Sequence, residues 1–275
     1  MLPRNSSAQA RSDQGEALEF PEDPGDLVFF GPGRVTHVGL YLGDGIYIHA
    51  GIGENRPMIS QAELKNSTYP ILGAQKIKPA SYQASISEIN DEIRARMTHS
   101  WREDNPISVE DLCYISLNHW GFDGCVHQGA LIVQRGVARE IVDIFEELFN
   151  EKYRIEKMLL IDAYQGSDEL SCEDNNSSAF CSRLSTNKGE WSYHSYGLAI
   201  DLNPLLNPYH REGVTIPVNG EEFLDRSLDC RGLITKNDPC YRAFTSRGWK
   251  WGGDWFEDRG YVDFQHFYRQ VERCF

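Results

Sequence analysis

The chain has 275 residues, 40% of them hydrophobic, with 24 glycines and 12 prolines, a composition that suits globular material long enough for two domains. Acidic residues outnumber basic ones 41 to 27, a net charge of −14, which argues against nucleic acid or an anionic membrane surface as the main partner. No apolar run approaches the length of a membrane span, and the opening Met1-Leu-Pro-Arg-Asn-Ser lacks the apolar core of a secretory signal, so no signal sequence is expected within this chain.

The first predicted elements are β-strands. Gly25-Asp-Leu-Val-Phe-Phe30 is followed by two apolar, β-rich runs, around Thr36-His37-Val-Gly-Leu-Tyr41 and Tyr47-Ile-His49-Ala50, which join at Gly43-Asp44-Gly45 and so predict a hairpin. Residues 1–80 resemble the back half of an NlpC-type cysteine peptidase, a papain-like fold. The resemblance implies that His37 is the base for a cysteine nucleophile and that His49 orients it. In that family the cysteine precedes the segment corresponding to Leu2–Gln9, whereas the first cysteine here is Cys113, inside a predicted strand of the next domain. A thiolate–imidazole pair needs its thiol, so this module is expected to be a partial, β-rich one in which His37 and His49 are vestigial. The alternative is cysteine peptidase activity completed by a missing segment.

Residues 81–105 are predicted to be a connecting helix, with Ile86, Ile89, Ile93 and Met97 on one face and Asn105-Pro106 as its stop. From 106 onward a second domain is expected. Leu112-Cys-Tyr-Ile-Ser-Leu-Asn-His-Trp120 and Gly129-Ala-Leu-Ile-Val133 read as a hairpin. Val137 to Phe149 reads as an amphipathic helix burying Val137, Ile141, Ile144, Phe145 and Leu148, and Met158-Leu-Leu-Ile161 as a strand. The predicted class is α+β: a small antiparallel sheet with flanking helices and a zinc cleft at its edge. All seven cysteines, at 113, 125, 172, 181, 230, 240 and 274, fall in this part. None forms a CxxC; Cys172 with Cys181, and Cys230 with Cys240, are spaced to staple loops in an oxidising compartment, and burial as small hydrophobes is the competing reading.

The chemistry concentrates in Ser192-Tyr-His194-Ser-Tyr-Gly197-Leu-Ala-Ile-Asp201 and Asp263-Phe-Gln-His266-Phe. Two imidazoles and one carboxylate, with a second carboxylate beside them, make a catalytic zinc site, in which three protein ligands leave a position for water. The spare carboxylate can move the proton that hydrolysis requires. Alternation from Leu198 to Leu202 puts Leu198, Ile200 and Leu202 in a core and Ala199 and Asp201 in a cleft. Asp263 and His266 are three apart, on opposite faces of a flat strand, so one site needs a turn or bulge between them.

These segments resemble the VanY-type zinc peptidases, the D-Ala-D-Ala carboxypeptidases and L-alanyl-D-glutamate peptidases that cut peptidoglycan stems. The SxHxxGxAxD pattern is filled by Ser192, His194, Gly197, Ala199 and Asp201, and the later acidic-x-x-His by Asp263 and His266. Asp174-Asn-Asn-Ser-Ser-Ala-Phe180 with Arg183, and Gly248-Trp-Lys-Trp-Gly-Gly-Asp-Trp255, are similar to further family segments, so the resemblance spans about residues 106–275. It implies zinc held by His194, Asp201 and His266, with Asp263 as base and then acid. Arg183 is the nearest candidate for stabilising the oxyanion, with a structural ion pair as its alternative. Ser192 and Asp254 are candidate substrate contacts, and a plain turn role is the alternative for Asp254. The implied function is a zinc peptidase acting outside the cytoplasm on peptidoglycan stem peptides, with no nucleic acid partner and no membrane span; a wall-binding protein that has lost catalysis is the rival.

Overall fold

The computed structural model describes residues 5–12, 15–53, 56–77, 80–185 and 189–270. The chain divides into two units, Met1–Ser81 and Tyr82–Phe275. Among its described residues the first has a single helical turn, α1 (Ser6–Gln9), a 3-10 turn at Leu64–Asn66, and one antiparallel sheet of six strands: β1 (Gly15–Leu18), β2 (Leu27–Phe30), β3 (His37–Gly43), β4 (Ile46–Gly53), β5 (Arg56–Glu63) and β6 (Ile71–Ile77). Their order is β1-β6-β2-β3-β4-β5. Continuously apolar β2 is buried along its whole length, and Val28 and Phe30 pack with Tyr47. Asp26 is buried because its carboxylate accepts the backbone N–H groups of Glu22 and Asp23, each at 2.8 Å, fixing the turn into β2. The β3–β4 hairpin turns at the predicted place, where Gly43, Asp44 and Gly45 all take positive φ.

The second unit has three small antiparallel sheets where the sequence predicted one. The first joins β7 (Ala84–Glu88), β8 (Leu112–Trp120) and β9 (Val126–Gln134). Helix α3 (Ala138–Asn150) covers this sheet, burying Ile141, Ile144, Phe145 and Leu148 in the same core as Ile115, Leu117, Leu131 and Val133. Two further sheets carry the functional segments. One contains β10 (Ala199–Asp201), β13 (Lys250–Trp251) and β15 (His266–Tyr268) in the order β10-β15-β13; the other contains β11 (Tyr209–Arg211), β12 (Val214–Ile216) and β14 (Val262–Asp263) in the order β12-β11-β14. Helix α5 (Pro239–Thr245) backs the first of these through Phe244, whose ring stacks on Phe267 at 4.2 Å. Shorter helices α2 (Asp91–Arg96), α4 (Asp168–Glu173) and α6 (Trp255–Arg259) complete the unit. Among the described residues no helix is long and apolar enough to cross a membrane.

Three local expectations differ from the structure. The predicted connecting helix begins instead as strand β7, paired with β8 from Ala84↔Leu117 to Glu88↔Cys113. The alternation Ser85-Ile86-Ser87 suits an edge strand as well as a helix. Helix α2 starts only after Asn90, whose side chain accepts from Ile93 N at 2.9 Å and caps it. Residues 82–105 thus belong to the second unit, and Asn105 Nδ2 donates to the Ser195 carbonyl at 3.0 Å. Met158–Leu160 is not a strand, because a side chain takes the place of a neighbouring strand: Asn176 accepts from Leu159 N at 2.8 Å and donates to Leu159 O at 3.1 Å. The six described cysteines are free thiols, with Cys113, Cys172, Cys181 and Cys240 buried as small hydrophobes; Cys274 lies outside the described residues.

One glycine ties the β7–β8–β9 sheet to the functional segment. Gly197, at φ +64°, accepts from Gln134 N at 2.9 Å, and an added Cβ would collide with that same nitrogen and sit 2.9 Å from the Val133 carbonyl carbon. Gly197→Ala therefore combines left-handed strain with a backbone clash. It should cost on the order of 2 kcal/mol or more in denaturant unfolding, whereas a loss within experimental error would show that the approach is not tight.

Candidate metal centre

Asp201 and His266 face each other as a register pair of β10 and β15. Alternation along β10 holds for four of the five residues: Leu198, Ile200 and Leu202 are sealed in the core and Asp201 lines the cleft, whereas Ala199, expected beside Asp201, is fully buried and does not line it. The strand is held from its other edge by a two-way backbone bridge between Ser178 and Asp201, each bond 2.9 Å. His194 arrives from a 3-10 turn, Tyr193–Tyr196, which Ser192 caps with its side chain and Gly197 ends in the left-handed region. The turn is anchored by Ser195, whose hydroxyl accepts from Arg183 N at 2.9 Å and donates to Arg183 O at 2.7 Å.

The three side chains meet. His266 Nδ1 lies 2.7 Å from Asp201 Oδ1, and His194 Nε2 lies 3.1 Å from Asp201 Oδ2. One ligand atom from each of the three falls within 4.8 Å of the others, and all three residues are buried. His194 Nδ1 donates to the Ala179 carbonyl, which points Nε2 into the cluster. That Nε2 is buried and, despite its closeness to Asp201, has no hydrogen bond of proper alignment. A buried, orphaned nitrogen facing a carboxylate is costly by itself and is what a cation would satisfy.

The spacing problem between Asp263 and His266 is solved by a turn. Asp263 ends β14, Phe264 and Gln265 reverse the chain, and His266 begins β15 in a different sheet. Both side chains then line one cleft, together with Asp201, His194, Arg183 and Ser192. Asp263 Oδ1 is buried without a partner. Burial pushes its carboxyl up to about 6, reinforced by the charge of Asp201 and opposed by His266. Burial also works against the charge on Asp201, but the two imidazoles outweigh it and hold that carboxyl well below the usual range. For His266 burial disfavours the imidazolium, and the hydrogen bond and charge of Asp201 raise it nonetheless.

Arg183 lines the cleft and is ion-paired: its Nη2 sits 2.6 Å from Asp168 Oδ2, while its Nε is buried without a partner. The ion-pair reading of this residue is the one the structure shows, and it leaves the Nε–H without a partner. Asp168, at the first position of α4 behind its cap Ser167, was not singled out in the sequence, where nothing but its capping context distinguishes it. Asp254 is the correction. It lies at the end of a 3-10 turn, 3.0 Å from Lys236 Nζ, and is not among the residues that line the cleft. The sequence missed the aromatic frame of the cleft, in which Trp255 lies 5.6 Å from the His266 ring and edge-on to Tyr261.

In the first unit His37 and His49 form a separate pair. His37 Nε2 and His49 Nδ1 are 2.8 Å apart, and His49 Nε2 is 3.1 Å from Ser60 Oγ. Partial burial, then the neighbouring His49, lower the pKa of His37 below its ordinary value.

Comparison with known proteins finds two separate partial matches. Residues 185–269 match the family model described as D-alanyl-D-alanine carboxypeptidase, and residues 1–74 match the NlpC/P60 family. The solved structures of NlpC1 and NlpC2 from Trichomonas vaginalis are each 26% identical over 28% of this chain, covering 28% and 30% of those chains, with a TM-score of 0.24. The peptidoglycan hydrolase RipB from Mycobacterium tuberculosis is 25% identical over 29% of this chain and 38% of its own, with a TM-score of 0.23. The chain thus spans well under half the length of these solved relatives. No curated protein matches.

The raised carboxyl of Asp263 has a consequence for stability. Folding favours its protonated form, so its contribution is present below the ordinary carboxylate value and is lost as the pH rises through about 6. In chelator, wild type should lose stability relative to Asp263→Asn between about pH 4 and pH 7, by roughly 3 kcal/mol at most, as read by thermal unfolding. Parallel pH profiles for the two proteins would contradict the burial of an uncompensated carboxylate.

Proposed function

We propose that the second unit is a zinc-dependent peptidase that hydrolyses peptidoglycan stem peptides outside the cytoplasm, as a D-Ala-D-Ala carboxypeptidase or an L-Ala-D-Glu endopeptidase. The observation that carries this reading is the convergence of His194, Asp201 and His266 on one point, with His194 Nε2 aimed there and unsatisfied. Two nitrogens and one carboxylate oxygen suit zinc and leave the site open, as a catalytic centre requires. The family match over residues 185–269, which contains all three residues, supports the same chemistry. The reaction is assigned to the second unit because the cluster lies there.

His194 Nε2, Asp201 and His266 Nδ1 would hold the zinc, which supplies Lewis acidity toward the scissile carbonyl and acidifies water. Asp263 takes the proton of the attacking water and returns it to the leaving amine. Burial without a partner for Oδ1 favours the protonated carboxyl that the second of these tasks requires. Arg183, fixed by Asp168 on one edge, offers its remaining N–H groups to the oxygen on which negative charge develops. Ser192 acts through position: its hydroxyl caps the turn that presents His194. The strongly acidic chain repels an acidic peptide at long range, so capture depends on the cluster and on the few cations in the cleft.

Asp263→Asn keeps the shape of the side chain but removes its basicity. Peptide hydrolysis should fall by roughly 10²- to 10⁴-fold, while zinc is retained at about one per chain. Wild-type turnover in that variant would place the base elsewhere, and a loss of zinc would make Asp263 a ligand.

A further inference from the structure

The cleft has a second cation that the proposed reaction does not use. Arg259 ends α6 and lines the cleft that holds His194, Asp263 and His266. Its guanidinium lies over the Trp255 ring, 4.2 Å from the centroid, and its Nη1 donates to Tyr261 Oη at 3.3 Å. Among the described residues no carboxylate lies within ion-pair distance of it. Arg183 differs in just this respect, being bound to Asp168. The charges facing Arg259 across the cleft are those of the metal cluster and of the Arg183–Asp168 pair, with Glu190 on the exposed rim.

We infer that Arg259 is the carboxylate anchor of the cleft, selecting peptides with a free α-carboxylate on the residue that follows the scissile bond. This rests on the peptidase reading above and names the substrate feature that the site reads. Stacking on Trp255 and the bond to Tyr261 limit the guanidinium's freedom, so its outward N–H fork is preorganised for the two oxygens of a carboxylate. One aromatic ring separates this fork from the cluster, Trp255 being 5.6 Å from the His266 imidazole. Arg259 and the cluster line the same cleft, so a peptide whose scissile carbonyl sits at the cluster can present the carboxylate of its next residue, about 3.5 Å further along the chain, to the Arg259 side. Two stem-peptide groups have this chemistry: the C-terminal carboxylate of a terminal dipeptide, and the α-carboxylate of a γ-linked D-glutamate inside the chain.

The test uses zinc-loaded full-length protein carrying Asp263→Asn, so that peptides bind without turnover, and calorimetry on two matched pairs. One pair is a D-alanyl-D-alanine peptide as acid and as C-terminal amide; the other is an L-alanyl-γ-D-glutamyl peptide with its α-carboxylate free and amidated. In one pair the acid should bind roughly tenfold more tightly than the amide, which identifies the source of the carboxylate. Adding Arg259→Gln should abolish that preference and leave amide binding unchanged, and Arg259→Lys should restore part of it. Zinc content and thermal midpoint, which an exposed side chain should not alter, verify folding. Equal affinity for acid and amide in both pairs, a preference that survives Arg259→Gln, or no measurable binding of any peptide would overturn the inference. Failure of the wild type to cleave these peptides, with the binding preference intact, would instead sink the proposed reaction.

Discussion

A carboxylate placed between two imidazoles governs the second unit. Asp201 is buried, and a buried charge is tolerated only when it is paired; here His194 and His266 supply the pairing from either side. Every nearby feature serves that arrangement. The β10–β15 register sets Asp201 opposite His266, the bridge to Ser178 fixes the other edge of β10, and the Gly197 turn brings His194 in against β9. A shift of one residue in β10 would exchange Asp201 for a core side chain. The cluster is thus bound to the fold's own packing, with Phe267 sealed behind His266 and stacked on Phe244.

The same cluster separates its two acids by environment. Asp201, between imidazoles, is held in its charged form, whereas Asp263, buried with one oxygen unpartnered, is pushed toward the protonated one. Neighbouring carboxyl groups forced apart in this way suit different chemical tasks, and in the proposed reaction one is the ligand and the other the proton carrier. Two arginines complete the cleft on different terms: Arg183 is fixed by an acid and Arg259 by aromatic rings.

Much of this was legible in the sequence. Period-2 alternation from Leu198 to Leu202 located Asp201 on the cleft side, and the amphipathic period of residues 137–149 located α3 with its buried face. The resemblance to zinc peptidases pointed to His194, Asp201, Asp263 and His266 together. What the sequence could not supply was the connection between elements. Ser85 to Met97 satisfies both strand and helix periods, and only pairing with β8 and the cap at Asn90 decide between them. The Met158 run lost its strand to the side chain of Asn176, a long-range bond with no local signature. Asp168 and Arg259 carry no motif; they matter because the fold brings them to the cleft, which Asp254 does not line.

The central claim is that the His194–Asp201–His266 cluster, loaded with zinc, makes this chain a hydrolase of wall peptides. The direct measurement is digestion of purified peptidoglycan stem peptides with the products read by mass spectrometry, using protein as purified, stripped by chelator, and stripped then resupplied with zinc. The account predicts a single new hydrolysis product that disappears on stripping and returns with about one zinc per chain. Cleavage that is indifferent to chelation, or no cleavage by protein carrying stoichiometric zinc, would contradict it.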